Sequence, residues 1–431
     1  MSRAMHRIKQ KSKTGYNHWV MSNNVLLVTA DSLRADYCGF LGGPETTPYL
    51  SKLADNSAVY ESAISPGPRT PSSIALTHTG ERFRNVDADT NEGRLKRIAD
   101  HIRRFETIPE RLAAQGYSTG AVTANPWTVG FDEPFDEFVA IGEGYESESD
   151  STERSIIDKG LDYVEQWRKG TDWFAQCTSF DDEVHRLIQE LPEPWFIWVF
   201  LMDTHSPYIV PRQHLVESNV ATMYYSALRY NASVMRGQDV SSLPSHLDRY
   251  LKRAYRDAIR LVDTFVEQVH QEVPSNTALI FHSDHGEAFG EHGTYGHQEV
   301  LYEENIHVPL LVHDGTTSGQ FQRPASTLEI PSIVEQTAKE NFDGENVTND
   351  IAFAQTGDGS MRAARTPSHW FVSDGEQVLC QDTRNRSDYG VVQDEEVATA
   401  VANLFEAEFA PDAEKSQVIS AIEDASFSSI R

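Results

Sequence analysis

The chain is poor in cysteine, in lysine and in long apolar runs, and each shortage argues against a class of structure or of binding partner. Its 431 residues include three cysteines, Cys38, Cys177 and Cys380. Their wide spacing provides neither a disulfide framework nor the paired spacing of a structural zinc site. Widely spaced thiols suit a reducing compartment, so we expect the protein to work in the cytoplasm.

No apolar run approaches the roughly 20 residues that a membrane-spanning helix needs. The longest, Pro194–Met202, is typical of a buried strand, so we expect no membrane span. Residues 1–23 are basic and polar and lack the apolar segment of a secretory signal. We predict that they form a disordered tail.

Positive charge is scarce. The formal net charge is −28, and arginine supplies most of the positive charge because there are only ten lysines. Such a balance argues against nucleic acid and anionic membranes as partners. A carboxylate-rich surface suits concentrated salt, where a Debye length of about 3 Å weakens self-repulsion. We therefore predict an acidic, halophilic protein, with an ordinary acidic cytosolic protein as the alternative.

Short apolar runs that end in polar residues recur along the chain, and amphipathic stretches separate them. This alternation is typical of buried parallel strands with helices on both faces of the sheet. We assign residues 24–320 to one α/β catalytic domain with a mostly parallel central sheet. Residues 321–410 contain short strand-like runs and tight turns, which predict a small antiparallel α+β subdomain. Residues 411–431 form a polar C-terminal tail.

Polar clusters follow several of the predicted strands. Asp31 ends the first strand, Asp203 and His205 follow a later one, and Asp284 and His285 follow another. In open α/β sheets, ligands bind beyond the carboxyl ends of the strands. We therefore expect these clusters to converge on one site.

The stretch from Ser283 to His297, "SDHGEAFGEHGTYGH", has the richest chemistry. It places three histidines within thirteen residues, together with Asp284, Glu287 and Glu291. Carboxylate oxygens and imidazole nitrogens are the usual mixed ligands of Zn²⁺, Mn²⁺ and similar ions. The stretch predicts a metal site, and the alternative is a polar surface loop with incidental histidines.

Asp203 and His205 occupy alternate positions, on the same side of an extended segment. They could bind a metal, or act as a proton donor and its orienting group. A structural hydrogen bond at the strand end explains the pair equally well.

Several segments together resemble the sulfatase family of the alkaline phosphatase superfamily. They include "NVLLVTADSLRADYCGF", "LAAQGYSTGAV", "FIWVFLMDTHSPY" and "FHSDHGEAFGEHGTYGHQEVLYEENIHVPLLV", which occur in order between Asn24 and Val312. The resemblance implies an alkaline-phosphatase-like α/β sandwich with a C-terminal antiparallel subdomain. It also implies a divalent metal beside a covalent nucleophile that attacks sulfur or phosphorus in line.

The resemblance also assigns positions. Asp31, Asp284 and His285 match metal ligands, and we expect one Ca²⁺, Mn²⁺ or Zn²⁺ ion per site. His205 matches the histidine that reaches the substrate or leaving group, and His297 lies near the transferred group. A two-metal site that adds Asp203, His205 and His297 is the less favoured alternative.

The nucleophile position departs from the family. Sulfatases use a Cys or Ser that becomes formylglycine, with Pro two and Arg four residues later. The family's ten-residue spacing to Gly80 selects Thr70, followed by Ser72 instead of Pro and Ile74 instead of Arg. Threonine cannot become formylglycine, so we predict attack by an unmodified hydroxyl.

Other positions of the family pattern are also missing. The neighbour of Asp31, often a second Asp, is Ser32. The sulfate-contacting Lys and His of the second strand fall near Ala124 and Pro126 and are absent. These losses weaken the expectation of sulfate as the transferred group.

Three functions are consistent with this pattern. We favour a metal-dependent hydrolase of sulfate or phosphate esters, acting on a small-molecule, glycan-type or lipid-type substrate with Thr70 as nucleophile. A phosphodiesterase, phosphonate hydrolase or phospho-headgroup transferase of the same superfamily is the first alternative. A degenerate, non-catalytic member that keeps the metal is the second.

Overall fold

A computed structural model describes residues 23–83, 90–128, 130–141, 176–235, 242–384 and 388–409. The predicted tails lie outside these ranges, except for Asn23, and so does most of the acidic stretch between residues 142 and 182.

The strands of the described chain, numbered in chain order, are β1 (Asn24–Ala30), β2 (Ala58–Tyr60), β3 (Ala63–Ile64), β4 (Ser118–Thr123), β5 (Glu137–Ala140), β6 (Trp195–Leu201), β7 (Thr277–Ser283), β8 (Ala288–Phe289), β9 (Tyr295–Gly296), β10 (Leu310–His313), β11 (Gly319–Phe321), β12 (Ala325–Ser326), β13 (Ala352–Gln355), β14 (Arg362–Arg365), β15 (His369–Ser373), β16 (Val378–Asp382) and β17 (Gly390–Val391).

The α-helices of the same residues are α1 (Pro48–Ala54), α2 (Thr70–Thr79), α3 (Asn91–Arg104), α4 (Ile108–Ala114), α5 (Asp181–Glu190), α6 (Val220–Met235), α7 (Ser245–Glu272), α8 (Glu303–Ile306), α9 (Ile330–Ala338) and α10 (Glu395–Phe409).

The central sheet has eight strands in the order β11-β2-β10-β7-β1-β6-β4-β5. Among these strands β10 alone runs against the others, since it pairs antiparallel with both β7 and β2. The predicted mostly parallel sheet is thereby confirmed. Strands β1, β6 and β7 occupy the middle of the sheet and are buried along their whole length, which explains their nearly continuous apolar sequences.

Apolar side chains cover both faces of this sheet. Successive residues of β1 alternate between two cores, with Leu26 and Val28 in one and Val25 and Leu27 in the other, as the pleat of a strand requires. The long helix α7 lines the first core, and helices α2, α3, α4 and α9 line the second.

Two acidic residues of α7 have structural roles. The carboxylate of Asp263 accepts the backbone N–H groups of Tyr49 and Leu50, at 2.8 and 2.9 Å, at the start of α1. Asp257 accepts three successive backbone N–H groups from residues 216–218. Both side chains are buried, so they act as acceptors between elements.

Strands β13–β17 form a separate antiparallel sheet in sequential order, which confirms the predicted C-terminal fold. Helix α10 packs on one face through Val397, Val401 and Leu404. The other face packs on the large domain, where Trp370 meets Leu301. Helix α10 lies before the predicted tail and was not recognised in the sequence.

The residues just after 320 belong structurally to the large sheet. Phe321 ends β11, which pairs with β2, and α9 packs into the second core through Ile333 and Val334. The five-stranded sheet itself begins at Ala352, although the sequence analysis places the start of its subdomain at residue 321.

The three cysteines are buried and none is in a disulfide. No helix of the described chain combines the length and the apolar character needed to cross a bilayer.

Candidate active site

The candidate metal ligands come from two adjacent strands. Strands β1 and β7 are parallel neighbours, and Ala30 pairs with Ser283 at their carboxyl ends. The next residues, Asp31 and Asp284, therefore lie side by side, and His285 follows. One ligand atom from each of the three residues lies within 4.8 Å of the other two, and all three residues are buried.

Asp31 is held by two hydrogen bonds from outside the metal group. Asn125 Nδ2 donates to Asp31 Oδ2 at 2.6 Å, and Ser32 Oγ donates to Asp31 Oδ1 at 2.9 Å. Ser32 has a φ of 61°, an unusual conformation for a residue with a side chain. The turn directs its backbone N–H toward Asp284 Oδ1, at 3.3 Å.

His285 presents one ring nitrogen to the two carboxylates. Its Nδ1 donates to the backbone oxygen of Gly286 at 2.8 Å, so the neutral ring has its lone pair on Nε2. Nε2 lies 3.3 Å from Asp31 Oδ1 and 3.5 Å from Asp284 Oδ2. A backbone carbonyl that fixes the tautomer in this way is typical of metal-binding histidines.

Burial and mutual charge shift the pKa values of the three groups. Burial, with help from Asp31, raises the pKa of Asp284 to about 7 against the opposing effect of His285. Burial opposes the charged form of His285, but Asp284 and Asp31 outweigh it and raise its pKa to about 9. Burial also opposes ionisation of Asp31, yet His205, His285 and His297 hold its pKa below the ordinary value.

These residues fit a divalent ion. The Oδ2 atom of Asp284 is buried and has no hydrogen-bond partner among the residues that the structure describes. A buried carboxylate oxygen without a partner is costly unless a cation satisfies it. Two carboxylates and an imidazole nitrogen form a donor set that suits Zn²⁺ or Mn²⁺.

Thr70 is the first residue of α2 and lies at the same site. Its side chain is almost fully buried, and its Oγ1 lies 3.2 Å from His285 Nε2. The neighbouring hydroxyls are engaged elsewhere, because Ser72 and Ser73 both donate to the backbone oxygen of Arg69, at 2.9 and 3.0 Å. Of these three hydroxyls, Thr70 is the one that faces the metal group.

The two predicted substrate-facing histidines lie next to His285. The ring of His297 is 4.9 Å from that of His285 and 4.8 Å from that of His205, measured between centroids. His297 Nδ1 lies 3.6 Å from Glu287 Oε1. Burial and the charges of His205 and His285 lower the pKa of His297 despite Glu287. The structure thus brings all six predicted site residues together.

Three other polar residues of these stretches lie elsewhere. The carboxylate of Asp203 accepts the backbone N–H of Cys177, at 3.1 and 3.2 Å to its two oxygens. Glu291 pairs with Arg34, and His292 faces Glu304. Asp203 therefore has the structural hydrogen bond that one interpretation of the sequence offered.

A sequence model of the family described as Sulfatase matches residues 23–340. The chain belongs to the sulfatase family. Human iduronate 2-sulfatase is 22% identical over 371 residues, an alignment that covers 75% of this chain and 64% of the human protein. The chain thus spans less than two thirds of the length of that relative.

Solved structures share the fold. A phosphonate monoester hydrolase of Agrobacterium radiobacter superposes with a TM-score of 0.59 at 16% identity, over 84% of this chain and 90% of that one. A 2-O glycosaminoglycan sulfatase superposes with a TM-score of 0.61 at 14% identity, over 94% of this chain and 93% of that one. These likenesses establish the alkaline-phosphatase-like fold of this sulfatase-family chain.

One residue of the site, Asn125, was not found in the sequence, and a second, Glu287, was named there only as a member of the stretch that predicts a metal site. Asn125 lies between the two positions where the sequence analysis looked for the family's Lys and His, and it holds Asp31 instead. Glu287 is fully buried beside His297, and its carboxylate oxygens have no hydrogen-bond partner within the described chain. The signal for Asn125 was its position just after β4, another strand that ends at this edge of the sheet.

Proposed function

We propose that this protein is a metal-dependent hydrolase of sulfate or phosphate esters and that Thr70 is its nucleophile. One observation carries the proposal: the buried Thr70 hydroxyl lies 3.2 Å from His285 Nε2, within the group of Asp31, Asp284 and His285. A threonine buried for structural reasons alone has no need of two carboxylates and an imidazole around it.

Asp31, Asp284 and His285 hold the divalent ion in this proposal. When bound, the ion would lower the pKa of the Thr70 hydroxyl and balance the negative charge on the oxygens of the transferred group. Asn125 and Ser32 orient Asp31 through the hydrogen bonds described above. The Gly286 carbonyl keeps the Nε2 lone pair of His285 directed at the site.

In the first step, the Thr70 oxygen attacks sulfur or phosphorus in line. A bond forms from Thr70 Oγ1 to the central atom, the bond to the leaving oxygen breaks, and the proton of Thr70 passes to solvent. The first turn of α2 favours negative charge at Thr70, because the backbone N–H groups of a helix N-terminus carry partial positive charge.

His205 or His297 protonates the leaving oxygen. Their rings are in contact with each other, and His297 also contacts His285, so both lie close to the transferred group. In the second step, water attacks the sulfur or phosphorus of the threonine ester and gives a proton to the same histidine. The bond from that atom to Thr70 Oγ1 breaks and Thr70 takes a proton from solvent, which restores the enzyme.

Phosphodiester or phosphonate hydrolysis, or transfer of a phospho-headgroup to an acceptor, is a second candidate. The unmodified Thr70 hydroxyl favours it, since formylglycine chemistry is excluded at that position. The absence of Arg at position 74 and of Lys and His at 124 and 126 also removes cations that a doubly charged phosphate monoester needs, although a sulfate ester, with one negative charge, is not disfavoured on this ground. A phosphodiester carries one negative charge and needs fewer of them.

The natural substrate in this proposal is an ester of a glycan, a lipid or a small molecule. Human iduronate 2-sulfatase and the glycosaminoglycan sulfatase are named for glycan sulfates, and the Agrobacterium enzyme is named for phosphonate monoesters. We further propose that the protein works in the cytoplasm, where its three free, buried cysteines stay reduced.

The test is a substrate screen with two matched variants. The protein is assayed on 4-nitrophenyl sulfate, 4-nitrophenyl phosphate, bis(4-nitrophenyl) phosphate and a phosphonate monoester, each with Ca²⁺, Mn²⁺ or Zn²⁺. We expect turnover that requires metal, a loss of about 10³-fold or more in Thr70→Ala, and partial activity in Thr70→Ser, which keeps a hydroxyl.

Two results contradict the proposal in different ways. Thr70→Ala turnover equal to that of the wild-type protein removes Thr70 from the mechanism. Metal binding without turnover of any ester favours the non-catalytic alternative.

A further inference from the structure

A cavity lies beside the loop that carries Asp284 and His285. It has a volume of about 330 Å³, and none of the six predicted site residues lines it. Its wall combines residues of the large domain with Gln381 and Asp388 of the C-terminal region. Five carboxylates line it: Asp36, Glu291, Glu303, Glu304 and Asp388.

One arginine in the wall already has its own partners. Arg34 donates from Nε and Nη2 to the two oxygens of Asp36, both at 2.8 Å, and from Nη1 to Glu291 Oε1 at 3.0 Å. Glu303 lies 3.6 Å from Arg365 Nη1 and 3.3 Å from His307 Nδ1. Arg34 and Arg365 thus pair with other carboxylates, and the ion-pair neighbour of Glu304 is His292, which is charged only when protonated.

Two oxygen acceptors in the wall have no hydrogen-bond partner. Gln381 is 7% exposed, and its Oε1 is buried and makes no hydrogen bond to any described residue. Glu304 Oε2 is also buried without such a bond, with His292 Nε2 as an ion-pair neighbour at 3.6 Å. Buried acceptors of this kind need a donor, and a bound cation with N–H groups supplies one.

The surroundings suit an organic cation better than a metal ion. The wall contains the ring of His292, which stacks on Tyr302 outside the lining with ring centroids 4.2 Å apart. Among the described residues, only the Asp31 group brings three metal-binding side chains within 4.8 Å, so the carboxylates here are too dispersed to coordinate one ion. The volume is that of a small-molecule pocket.

We propose that this cavity binds a small organic ammonium ion, held by the Glu304 carboxylate and the Gln381 amide oxygen with Asp388 at its rim. The site is separate from the catalytic group, and the proposal stands whether or not the protein is a hydrolase. It adjoins the loop that carries that group: Arg34 Nη1 donates to the backbone oxygen of Glu287 at 3.0 Å.

The test uses putrescine as the probe and isothermal titration calorimetry of the full chain at low salt and constant pH. 1,4-Butanediol serves as the neutral compound of similar length, and Mg²⁺ as the inorganic cation. We expect one putrescine to bind per chain, no heat from the diol, and no competition by equimolar Mg²⁺. Binding that persists in Asp284→Asn excludes the catalytic group as the site.

Charge-neutralising variants locate the site. We expect Glu304→Gln to weaken putrescine binding about tenfold or more, because hydrogen bonds to charged groups contribute about 1.5–3 kcal/mol. Asp388→Asn, at an exposed position, should weaken it less and provides a second variant if Glu304→Gln fails to fold. Asp55→Asn, an exposed acid outside the cavity, is the control with the same change in net charge and should bind like the wild-type protein.

Three results overturn the proposal. They are the absence of putrescine binding, an affinity unchanged in both Glu304→Gln and Asp388→Asn, and displacement of putrescine by equimolar Mg²⁺. Failure of the hydrolase assays with intact putrescine binding would refute the proposed function alone.

Discussion

At the scale of single residues, protons and a metal ion compete for the same lone pairs of Asp284 and His285. Without metal, the pKa of His285 is raised to about 9 and that of Asp284 to about 7. Burial, with Asp31, raises the pKa of Asp284, and the nearby carboxylates of Asp284 and Asp31 raise that of His285 against its burial. Both groups therefore hold protons near neutral pH. Because a metal ion binds the deprotonated forms, it must displace those protons.

We therefore expect metal affinity to depend on pH. Above pH 9 both groups are deprotonated and the affinity should level off. Between pH 9 and 7 one proton is displaced, so the affinity should fall about tenfold per unit as the pH decreases, and more steeply below pH 7. Calorimetry in buffers of different ionisation enthalpy counts the released protons. A metal affinity that does not change between pH 9 and pH 6 would contradict this prediction.

The leaving group should reveal which histidine acts as the acid. A proton donor matters little for 4-nitrophenolate, which leaves readily, and much for an alkoxide. In the responsible variant, His205→Asn or His297→Asn, we expect kcat/KM to fall about 100-fold or more for an alkyl ester and about tenfold or less for the 4-nitrophenyl ester. Equal losses on both esters in both variants would show that neither histidine is the proton donor.

At the scale of helices and strands, buried carboxylates of one element accept hydrogen bonds from the backbone of another. Helix α1 has no side-chain cap of its own at Thr47, and its first free N–H groups are satisfied by Asp263 from α7. This contact fixes α1 against the long helix and, through it, against the first core.

Asp263→Ala should therefore destabilise the protein by about 2–4 kcal/mol, because it leaves two N–H donors at a packed helix end without an acceptor. Urea unfolding monitored by circular dichroism measures the change. Asp55→Ala, an exposed acid at the other end of α1, is the matched control and should change stability by no more than about 0.5 kcal/mol. A similar small change in both variants would remove the capping role of Asp263.

Elements with continuous apolar runs were predictable, and those that depend on distant partners were not. Strands β1, β6 and β7 are readable because both of their faces are buried. The direction of β10 depends on pairing with β7 and β2, which the local pattern does not encode. Helix α10 was missed because its apolar residues pack on a small sheet assembled from other segments.

The residues of the candidate site that follow strand ends or match the family's spacing were predictable from the sequence. Asp31 and Asp284 follow paired strands, so their proximity follows from parallel order. Asn125 was missed because its role depends on a hydrogen bond to Asp31, 94 residues away in the chain. Asp203, like Asp31, follows a strand, but its carboxylate accepts the backbone N–H of Cys177 instead. The sequence pattern could not distinguish a metal ligand from such a structural acceptor.

Charge dominates at the scale of the whole molecule. A net charge of −28 acts against the compact state through self-repulsion, which salt weakens. We propose that the protein is adapted to concentrated salt. Because of the same negative charge, we expect no binding to strongly negative partners such as nucleic acid.

Raising KCl from 0.1 to 2 M should accordingly raise the unfolding temperature. The Debye length falls from about 10 Å at 0.1 M to about 3 Å at 1 M, and relief of about 1–2 kcal/mol corresponds to a rise of roughly 1–2 °C for a chain of this length. Scanning calorimetry at fixed pH provides the measurement. An unfolding temperature that is constant or falls with KCl would contradict adaptation to salt.

The central claim is that the Thr70 hydroxyl, unmodified, carries the transferred group during turnover. Mass spectrometry of a metal-loaded reaction quenched in acid, followed by proteolysis, measures this directly. We predict that the peptide containing Thr70 gains the mass of one phosphoryl or sulfuryl group, that fragmentation assigns it to Thr70, and that the labelled peptide is absent in Thr70→Ala. A label on another residue, or turnover by Thr70→Ala without any label, would contradict the claim.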